Sequence, residues 1–259
     1  YRRFRKSAGV CQPRTPPSPL KQRMSLWRRA PTGEKSAGAS AFGKGRWISG
    51  RSKRPIPTFA FSCDRCGRCC REREDVLLNP ADLFRIAKFL NQTPSQVVEH
   101  YCECYIGPDS RLPLIRLRPK AYRNTCPFLG PEGCRIHQAK PTVCALYPLG
   151  RAYIAPKDKL VYFCQPLTCG SNKKMHTVRE WLAAFGLTFA DEDSMRWMRL
   201  TPRLTLWMLH NESKLRQKER CEIWAHMQNL CYLQYDIQHP FSEQFIRNTD
   251  ELLQKLPDA

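Results

Sequence analysis

The sequence lacks the features of several large protein classes. No apolar run approaches the roughly 18–20 residues of a membrane-spanning helix, and no apolar stretch near Tyr1 resembles a secretory signal. There is also no glycine-rich strand–turn–helix loop for a nucleotide or methyl-donor cofactor, and no Ser/His/Asp set or His-Glu-x-x-His motif. We therefore expect no membrane span, and find no motif of a nucleotide-dependent enzyme or a hydrolase.

Acidic residues are scarce at the start of the chain. Within residues 1–58, Glu34 stands alone against 15 lysines and arginines, and no apolar stripe repeats. We predict that this basic segment is disordered up to about Pro57, because it cannot bury enough apolar surface to offset the entropy of ordering. An organellar presequence has this composition. So does a tail that binds nucleic acid or another anionic surface, and so does an extension of the reading frame ahead of Met24.

Cysteine, by contrast, is abundant. The chain has 14 cysteines among its 259 residues, and 42% of the residues are hydrophobic, so a sizeable core can form. Without a secretory signal, dense cysteine clusters indicate metal binding in a reducing compartment. We therefore expect a cytoplasmic protein, or a mitochondrial or plastid protein if residues 1–58 are a presequence.

Local patterns predict an α+β fold. We expect a small, irregular, cysteine-rich and metal-bound core with short strands and helices at residues 59–175. Capped helix starts are predicted at Asn79–Asp82 and Thr93–Gln96, and frequent prolines and glycines divide residues 107–170 into short strands and loops.

A helical C-terminal region is predicted at residues 176–259. Thr177–Glu180 is a capping box, and apolar residues recur at helical spacing after it. Further helices are predicted at about residues 194–210, 213–236 and 241–255.

The densest chemistry is the run Cys63-Asp64-Arg65-Cys66-Gly67-Arg68-Cys69-Cys70, a C-x2-C-x2-C-C pattern. Two intervening residues let neighbouring thiolates reach one metal, while the turn exposes backbone N–H groups to the sulfurs. The spacing matches the first part of the bacterial ferredoxin run, and it would equally supply a zinc site. Arginines at positions 65, 68, 71 and 73 would offset the negative charge of a thiolate-bound centre.

A second cysteine-rich segment lies at residues 126–169. Its cysteines are Cys126, Cys134, Cys144, Cys164 and Cys169. A metal site built from both segments would tie the fold together, because metal binding then becomes folding free energy. His137 follows Cys134 at plausible ligand spacing, but ordinary hydrogen bonding is the more common role of a loop histidine.

Four other cysteines fit a metal site less well. Cys102 and Cys104 lie on a predicted helix, where residues i and i+2 point to different faces, so joint chelation is not expected. Cys221 and Cys231 lie inside predicted C-terminal helices, and we interpret them as buried apolar thiols.

Together these motifs resemble the YkgJ-like cysteine-cluster family over about residues 59–170. The shared pattern is C-x2-C-x2-C-C, an Asn-Pro-x-Asp helix start, and C-P-F-L…G-C-x-I-H-x-x-K-P-x-x-C-x-x-Y-P-L. That family is described as a zinc- or iron-chelating domain, and flagellin lysine N-methylase is a more distant member. Cys164 is not part of the pattern, and the position of His137 is often tyrosine in the family. The resemblance implies these metal ligands: Cys63, Cys66, Cys69, Cys70, Cys126, Cys134, Cys144 and Cys169.

The sequence leaves several functions open. The first is a zinc- or iron-chelating protein that binds an iron–sulfur cluster, [4Fe–4S] by preference, in a redox or accessory role. The second is a protein lysine methyltransferase related to the flagellin enzyme, and the third is an adaptor held together by structural zinc. Eight thiolates exceed the four that one zinc ion or one [4Fe–4S] cluster takes. Either two centres exist, or some of the cysteines are spare or act in the chemistry.

Partners are less defined by the sequence. A protein partner or substrate is expected but not identified, and whether the chain is an enzyme stays open. Nucleic-acid binding is expected only through residues 1–58.

Overall fold

The computed structural model describes residues 47–49, 58–71, 76–120, 124–189 and 191–256. Most of the predicted disordered segment lies outside the described residues, as does Arg73. Within the described ranges, no helix is both long and apolar enough to cross a membrane.

Short strands dominate the first two thirds of the chain, and helices dominate the last third. The strands are β1 (Trp47–Ser49), β2 (Thr58–Ser62), β3 (Leu77–Leu78), β4 (Cys102–Ile106), β5 (Pro113–Leu117), β6 (Leu129–Gly130), β7 (Gly133–Cys134), β8 (Leu149–Ile154), β9 (Lys159–Cys164) and β10 (Ser171–Thr177). The α-helices are α1 (Pro80–Leu90), α2 (Pro94–Tyr101), α3 (Thr142–Leu146), α4 (Val178–Ala183), α5 (Glu192–Asn211), α6 (Gln217–Gln228) and α7 (Phe241–Lys255). This mixed content confirms the predicted α+β class.

The strands form small antiparallel sheets. β9 lies between β8 and β1, β5 lies between β3 and β4, β2 pairs with β10, and β6 pairs with β7. β1 falls in the segment for which the sequence predicts disorder. Its pairing covers the outer edge of β9, whose backbone N–H and C=O groups would otherwise face solvent there.

The capped helix starts form as predicted. Backbone N–H groups three residues into the helices donate to the side chains of Asn79, Thr93 and Thr177 over 2.8, 3.3 and 3.2 Å. The C-terminal helices also lie close to the predicted ranges. The middle one differs, because α6 passes into a π-helical turn at Asn229–Leu233.

The predicted helical placement of Cys102 and Cys104 is wrong. α2 ends at Tyr101, and the chain continues directly as β4, with Cys102 opposite Leu117 and Cys104 opposite Ile115 of β5. Pairing with the apolar strand β5 therefore overrides the local helical pattern. The alternation of a strand sets both thiols on one face, and both join the main hydrophobic core.

The C-terminal helices pack against the cysteine-bearing part of the chain. One cluster of buried side chains contains Leu83 of α1, Ile115 of β5, Phe128, Met208 of α5 and Leu252 of α7. Each such fully buried side chain contributes on the order of 1.5–3 kcal/mol. This cluster therefore joins α1 and β5 to the C-terminal helices, while the domain boundary at residue 175 stays a prediction.

A second, smaller cluster lies next to the cysteines. Phe59 and Phe61 of β2, Tyr162 of β9 and Trp181 of α4 form its centre. Trp181 donates its indole N–H to the carbonyl oxygens of Ala145 and Leu146 at 3.0 and 3.3 Å. This contact fixes the end of α3, the helix that carries Cys144.

Candidate metal centre

The C-x2-C-x2-C-C segment is a loop that leaves β2 and ends in a 3-10 turn at Arg68–Cys70. Gly67 makes the turn possible: its φ is +67°, and a Cβ there would lie 2.9 Å from a methyl group of Leu129. The backbone N–H of Cys70 donates to the Gly67 carbonyl at 3.0 Å. The Sγ atoms of Cys69 and Cys70 are 3.9 Å apart.

The second cysteine segment is attached to this loop through its backbone. The N–H of Cys126 donates to the carbonyl of Cys70 at 2.8 Å. The β6–β7 hairpin, which carries Cys134, lies against the same loop: a Cβ at Gly133 would lie 3.4 Å from the carbonyl oxygen of Arg65. Both cysteine segments thus meet, as the sequence predicts for a shared site.

A buried carboxylate positions the segment that carries Cys144. Asp82 of α1 is only 2% exposed, and its Oδ1 accepts hydrogen bonds from Thr142 N (2.8 Å), Thr142 Oγ1 (2.6 Å) and Arg85 Nη2 (2.7 Å). The same guanidinium nitrogen donates to the carbonyl of Lys140 at 3.1 Å. The Asn-Pro-x-Asp helix start therefore also anchors the Lys-Pro-Thr segment, a role that the sequence pattern did not reveal.

Tyr147 holds the loop that carries Cys169. Its hydroxyl oxygen accepts from the backbone N–H groups of Thr168 (2.6 Å) and Cys169 (3.3 Å). On the other side of this loop, Arg68 Nη1 donates to the carbonyl of Thr168 at 3.1 Å. Both contacts hold Cys169 beside the first cysteine loop.

Removing the Tyr147 hydroxyl should loosen this loop. In Tyr147→Phe, two backbone N–H groups lose their acceptor, and the free energy of unfolding should fall by about 1–2 kcal/mol. Urea unfolding measures this loss, and the rate of metal release to a chelator reports the looser position of Cys169. Tyr153→Phe is the matched control, because the Tyr153 hydroxyl donates to Asp158 at the surface. Equal metal release from the two variants would contradict the role of Tyr147.

Gly170, directly after Cys169, permits a close approach of two chain segments. Its φ is +77°, and a Cβ there would lie 2.4 Å from a ring carbon of Phe61 and 2.6 Å from the carbonyl oxygen of Ser62. Gly186 has a similar φ of +66°, but a Cβ there would meet nothing within 4 Å. An alanine at each of the two positions therefore distinguishes the cost of backbone strain, which both share, from the cost of overpacking, which only Gly170 has.

Gly170→Ala should destabilise the protein more than Gly186→Ala. In both variants an alanine is held in the left-handed backbone conformation, which costs about 1–2 kcal/mol. Only Gly170→Ala adds an overpacking cost of about 1–3 kcal/mol. Thermal or urea unfolding of both variants measures the difference. Equal losses of stability would show that the Cys169 loop is not packed against β2.

Thiol contacts run across both cysteine segments. The hydrogen bond between Cys70 and Cys126 raises the pKa of the Cys70 thiol to about 12 and lowers the pKa of the Cys126 thiol. The hydrogen bond with Cys70, together with burial, raises the pKa of the Cys69 thiol well above its usual range. Cys169 in turn contacts Cys69. These four thiols form a continuous row.

Three more predicted ligands stand beside this row. Cys134 and Cys144 lie close enough to Cys126 for their charges to interact, and Cys66 lies similarly close to Cys169. Burial raises the pKa of the Cys134 thiol. Cys63 is exposed at the start of the loop. The structure therefore brings seven predicted ligands, all within the described ranges, into mutual contact or electrostatic reach.

The donor set suits a thiolate-bound metal. Backbone N–H groups of Phe128 and Ile136 donate to the sulfurs of Cys126 and Cys134, and such bonds tune thiolate-bound metals. Several of these crowded thiols have raised pKa values, and a bound cation would reverse that effect by stabilising the thiolates. As placed, no three His, Cys, Asp or Glu side chains of the described residues are arranged to hold one ion.

The remaining cysteines and His137 have other surroundings. Cys231 is buried, as predicted, and burial raises its pKa to about 12. Cys221 is half-buried, and Cys104 accepts a hydrogen bond from Gln228 Nε2 at 3.2 Å. The ring of His137 lies 5.9 Å from that of Phe185, and burial, followed by the charges of Lys140 and Arg65, lowers the pKa of His137.

A comparison with known protein families finds a match over both cysteine segments. The CxxCxxCC family model, described as "Putative zinc- or iron-chelating domain", matches residues 62–184. The match contains all eight predicted ligands and extends beyond residue 170 to include α4. Comparisons with curated proteins and with solved structures gave no match.

Proposed function

We propose that this chain, whose residues 62–184 match the CxxCxxCC family model, is a metalloprotein whose clustered cysteines bind an iron–sulfur centre in a redox or accessory role. The observation that carries the proposal is the row of contacting thiols from Cys169 through Cys69 and Cys70 to Cys126. The row spans both cysteine segments, so a centre bound there would link them. An iron–sulfur centre supplies one-electron transfer when it is bound.

We propose that the eight cysteines form two sets of four, seven of them assigned by their contacts and Cys63 by its spacing from Cys66. In the first set, Cys169 is near both Cys69 and Cys66, and Cys63 precedes Cys66 at ligand spacing. We call these the loop group: Cys63, Cys66, Cys69 and Cys169. In the second set, Cys126 interacts with the other three members. We call these the hairpin group: Cys70, Cys126, Cys134 and Cys144.

Two groups of four thiolates match the ligand demand of two centres. One [4Fe–4S] cluster or one tetrahedral zinc ion takes four thiolates. The groups meet at Cys69 and Cys70, whose Sγ atoms are 3.9 Å apart. We propose an iron–sulfur cluster in one group and a second metal in the other.

Two features favour iron over zinc. The C-x2-C-x2-C spacing is that of bacterial ferredoxins, and Arg65 and Arg68, both exposed, stand within the loop that carries it. Their positive charges favour the reduced, more negative state of an iron–sulfur centre and so raise its potential. Thiolate ligands alone suit both metals, so zinc is the competing assignment.

Purification of the full chain without oxygen tests the metal. We expect a brown protein with broad absorption at about 400 nm, where thiolate-to-iron charge transfer lies, and with iron and acid-labile sulfide in equal amounts. Metal analysis by mass spectrometry completes the measurement. A colourless protein with stoichiometric zinc would overturn the iron–sulfur proposal and make structural zinc the role of the cysteines.

A further inference from the structure

An open cleft of about 340 Å³ lies beside the hairpin group, and the cysteine scaffold builds it. Arg65 comes from the first cysteine loop, where its φ is +51°. Glu132 and Arg135 flank the β7 strand on another wall, and Phe89 comes from the last turn of α1. The thiol of Cys134 lies at the same cleft. Any molecule bound there would therefore stand next to a candidate metal ligand.

Positive charge is concentrated around this cleft. Arg65 and Arg135 line it, against the single carboxylate of Glu132 among the lining residues described. Lys140, whose Nζ lies 4.1 Å from the ring centre of Phe185, is close enough to the lining residue His137 for their charges to interact. His137 also lines the cleft, and burial together with the positive charges of Lys140 and Arg65 lowers its pKa.

The cleft also has an apolar wall. Phe89 is 44% exposed, although it lies on a helix whose other large apolar side chains are mostly buried. A benzyl group left accessible beside two guanidinium groups is suited to a ligand with one apolar part and one anionic part. Guanidinium groups bind carboxylate and phosphate oxygens through charge-assisted hydrogen bonds.

We propose that this cleft binds a small organic anion. The phosphate or carboxylate group of the ligand lies between Arg65 and Arg135, and its apolar part lies against Phe89. The ligand is thereby held beside Cys134, at the edge of the hairpin group. This inference does not depend on which metal the cysteines bind.

The competing explanation is that the arginines only neutralise the thiolates. Arg135 and Lys140 do oppose the effect of burial on the pKa of Cys134. In that case, changes of charge in the cleft would alter the metal centre and not the affinity for an anion. Measuring both quantities on each variant separates the two explanations.

Calorimetric titration of the full chain with inorganic phosphate, phenyl phosphate and benzoate tests the proposal. Arg135→Gln should weaken the binding of every anion that binds by about tenfold, the usual scale for one charge-assisted contact. Glu132→Gln, on the same hairpin, should strengthen binding by a few fold, because it removes the opposing charge. Phe89→Ala should weaken the binding of phenyl phosphate and benzoate and leave the affinity for inorganic phosphate unchanged. Comparison of phenyl phosphate with benzoate identifies which anionic group the cleft prefers.

Arg135→Gln also removes a structural hydrogen bond, because Arg135 Nη2 donates to the carbonyl of Pro127 at 2.9 Å. Arg135→Lys removes the guanidinium group but keeps the positive charge, and it should retain most of the affinity for anions. Arg179→Gln, at an exposed position of α4, should change nothing. Metal content is measured for each variant, so a failed metal assignment is distinguished from a failed anion site. Absence of binding by all three probes, or equal affinities for the Arg135→Gln and Glu132→Gln variants, would overturn the proposal.

Discussion

Replacing Cys70 by serine should remove the metal of the hairpin group and leave the metal of the loop group in place. Cys70 contacts Cys126 and interacts electrostatically with Cys134, so the substitution removes a central ligand of the proposed hairpin group. Replacing the adjacent Cys69 should do the reverse, because Cys69 contacts Cys169. Metal analysis of each variant should find about half of the wild-type content, and the double variant should retain almost none.

The loss of metal should also be a loss of stability. Structural zinc in zinc-finger peptides contributes about 10–16 kcal/mol of binding free energy, and we expect Cys70→Ser to lower the free energy of unfolding by on the order of 5 kcal/mol or more. Cys221→Ser is the control, since it makes the same chemical change at a half-buried thiol of α6. Complete loss of metal from both single variants would reject two separate groups and favour one shared centre.

Replacing Asp82 by alanine should be among the most damaging single changes outside the cysteines. The substitution leaves Arg85 without its carboxylate and leaves Thr142 N and Oγ1 without their shared acceptor. Breaking a buried ion pair by removing one partner costs about 3–5 kcal/mol, and we expect a loss near the lower end because the Arg85 side chain is 28% exposed. Urea unfolding with a fitted midpoint and slope measures this loss.

A surface pair provides the comparison for Asp82. Asp250 pairs with Arg196, but its side chain is 53% exposed, and Asp250→Ala should cost no more than about 0–1 kcal/mol. Because Thr142 begins α3, which carries Cys144, Asp82→Ala should also weaken metal retention. Wild-type stability with wild-type metal content in Asp82→Ala would show that α3 is positioned by other contacts.

Features encoded locally were predictable from the sequence. The starts of α1, α2 and α4 each depend on a cap and a partner three residues later, so a window of four residues contains the whole signal. The C-x2-C-x2-C-C spacing is equally local. Fold class followed from the change between cysteine-, proline- and glycine-rich loops and long helical stripes.

Features that depend on distant partners were not predictable. Cys102 and Cys104 continue a helical pattern and become a strand only because β5 is there to pair with them. Nothing near Asp82 in the sequence shows that its carboxylate accepts from Thr142, 60 positions later. The proposed division of the thiols into two groups likewise depends on the folded arrangement of loops, since it assigns Cys69 and Cys70, which are neighbours in sequence, to different groups.

The contact between Arg68 and Thr168 joins residues 100 positions apart, and this separation has a consequence for the order of assembly. During synthesis the first three cysteines of the loop group leave the ribosome long before Cys169, so early metal capture can use only part of that group. The hairpin group is completed sooner, when Cys144 emerges. Closing so long a segment also costs chain entropy, and we expect the intervening strands and helices to lower that cost by folding first. We therefore expect the proposed loop group to bind its metal only after the polypeptide between its ends has folded.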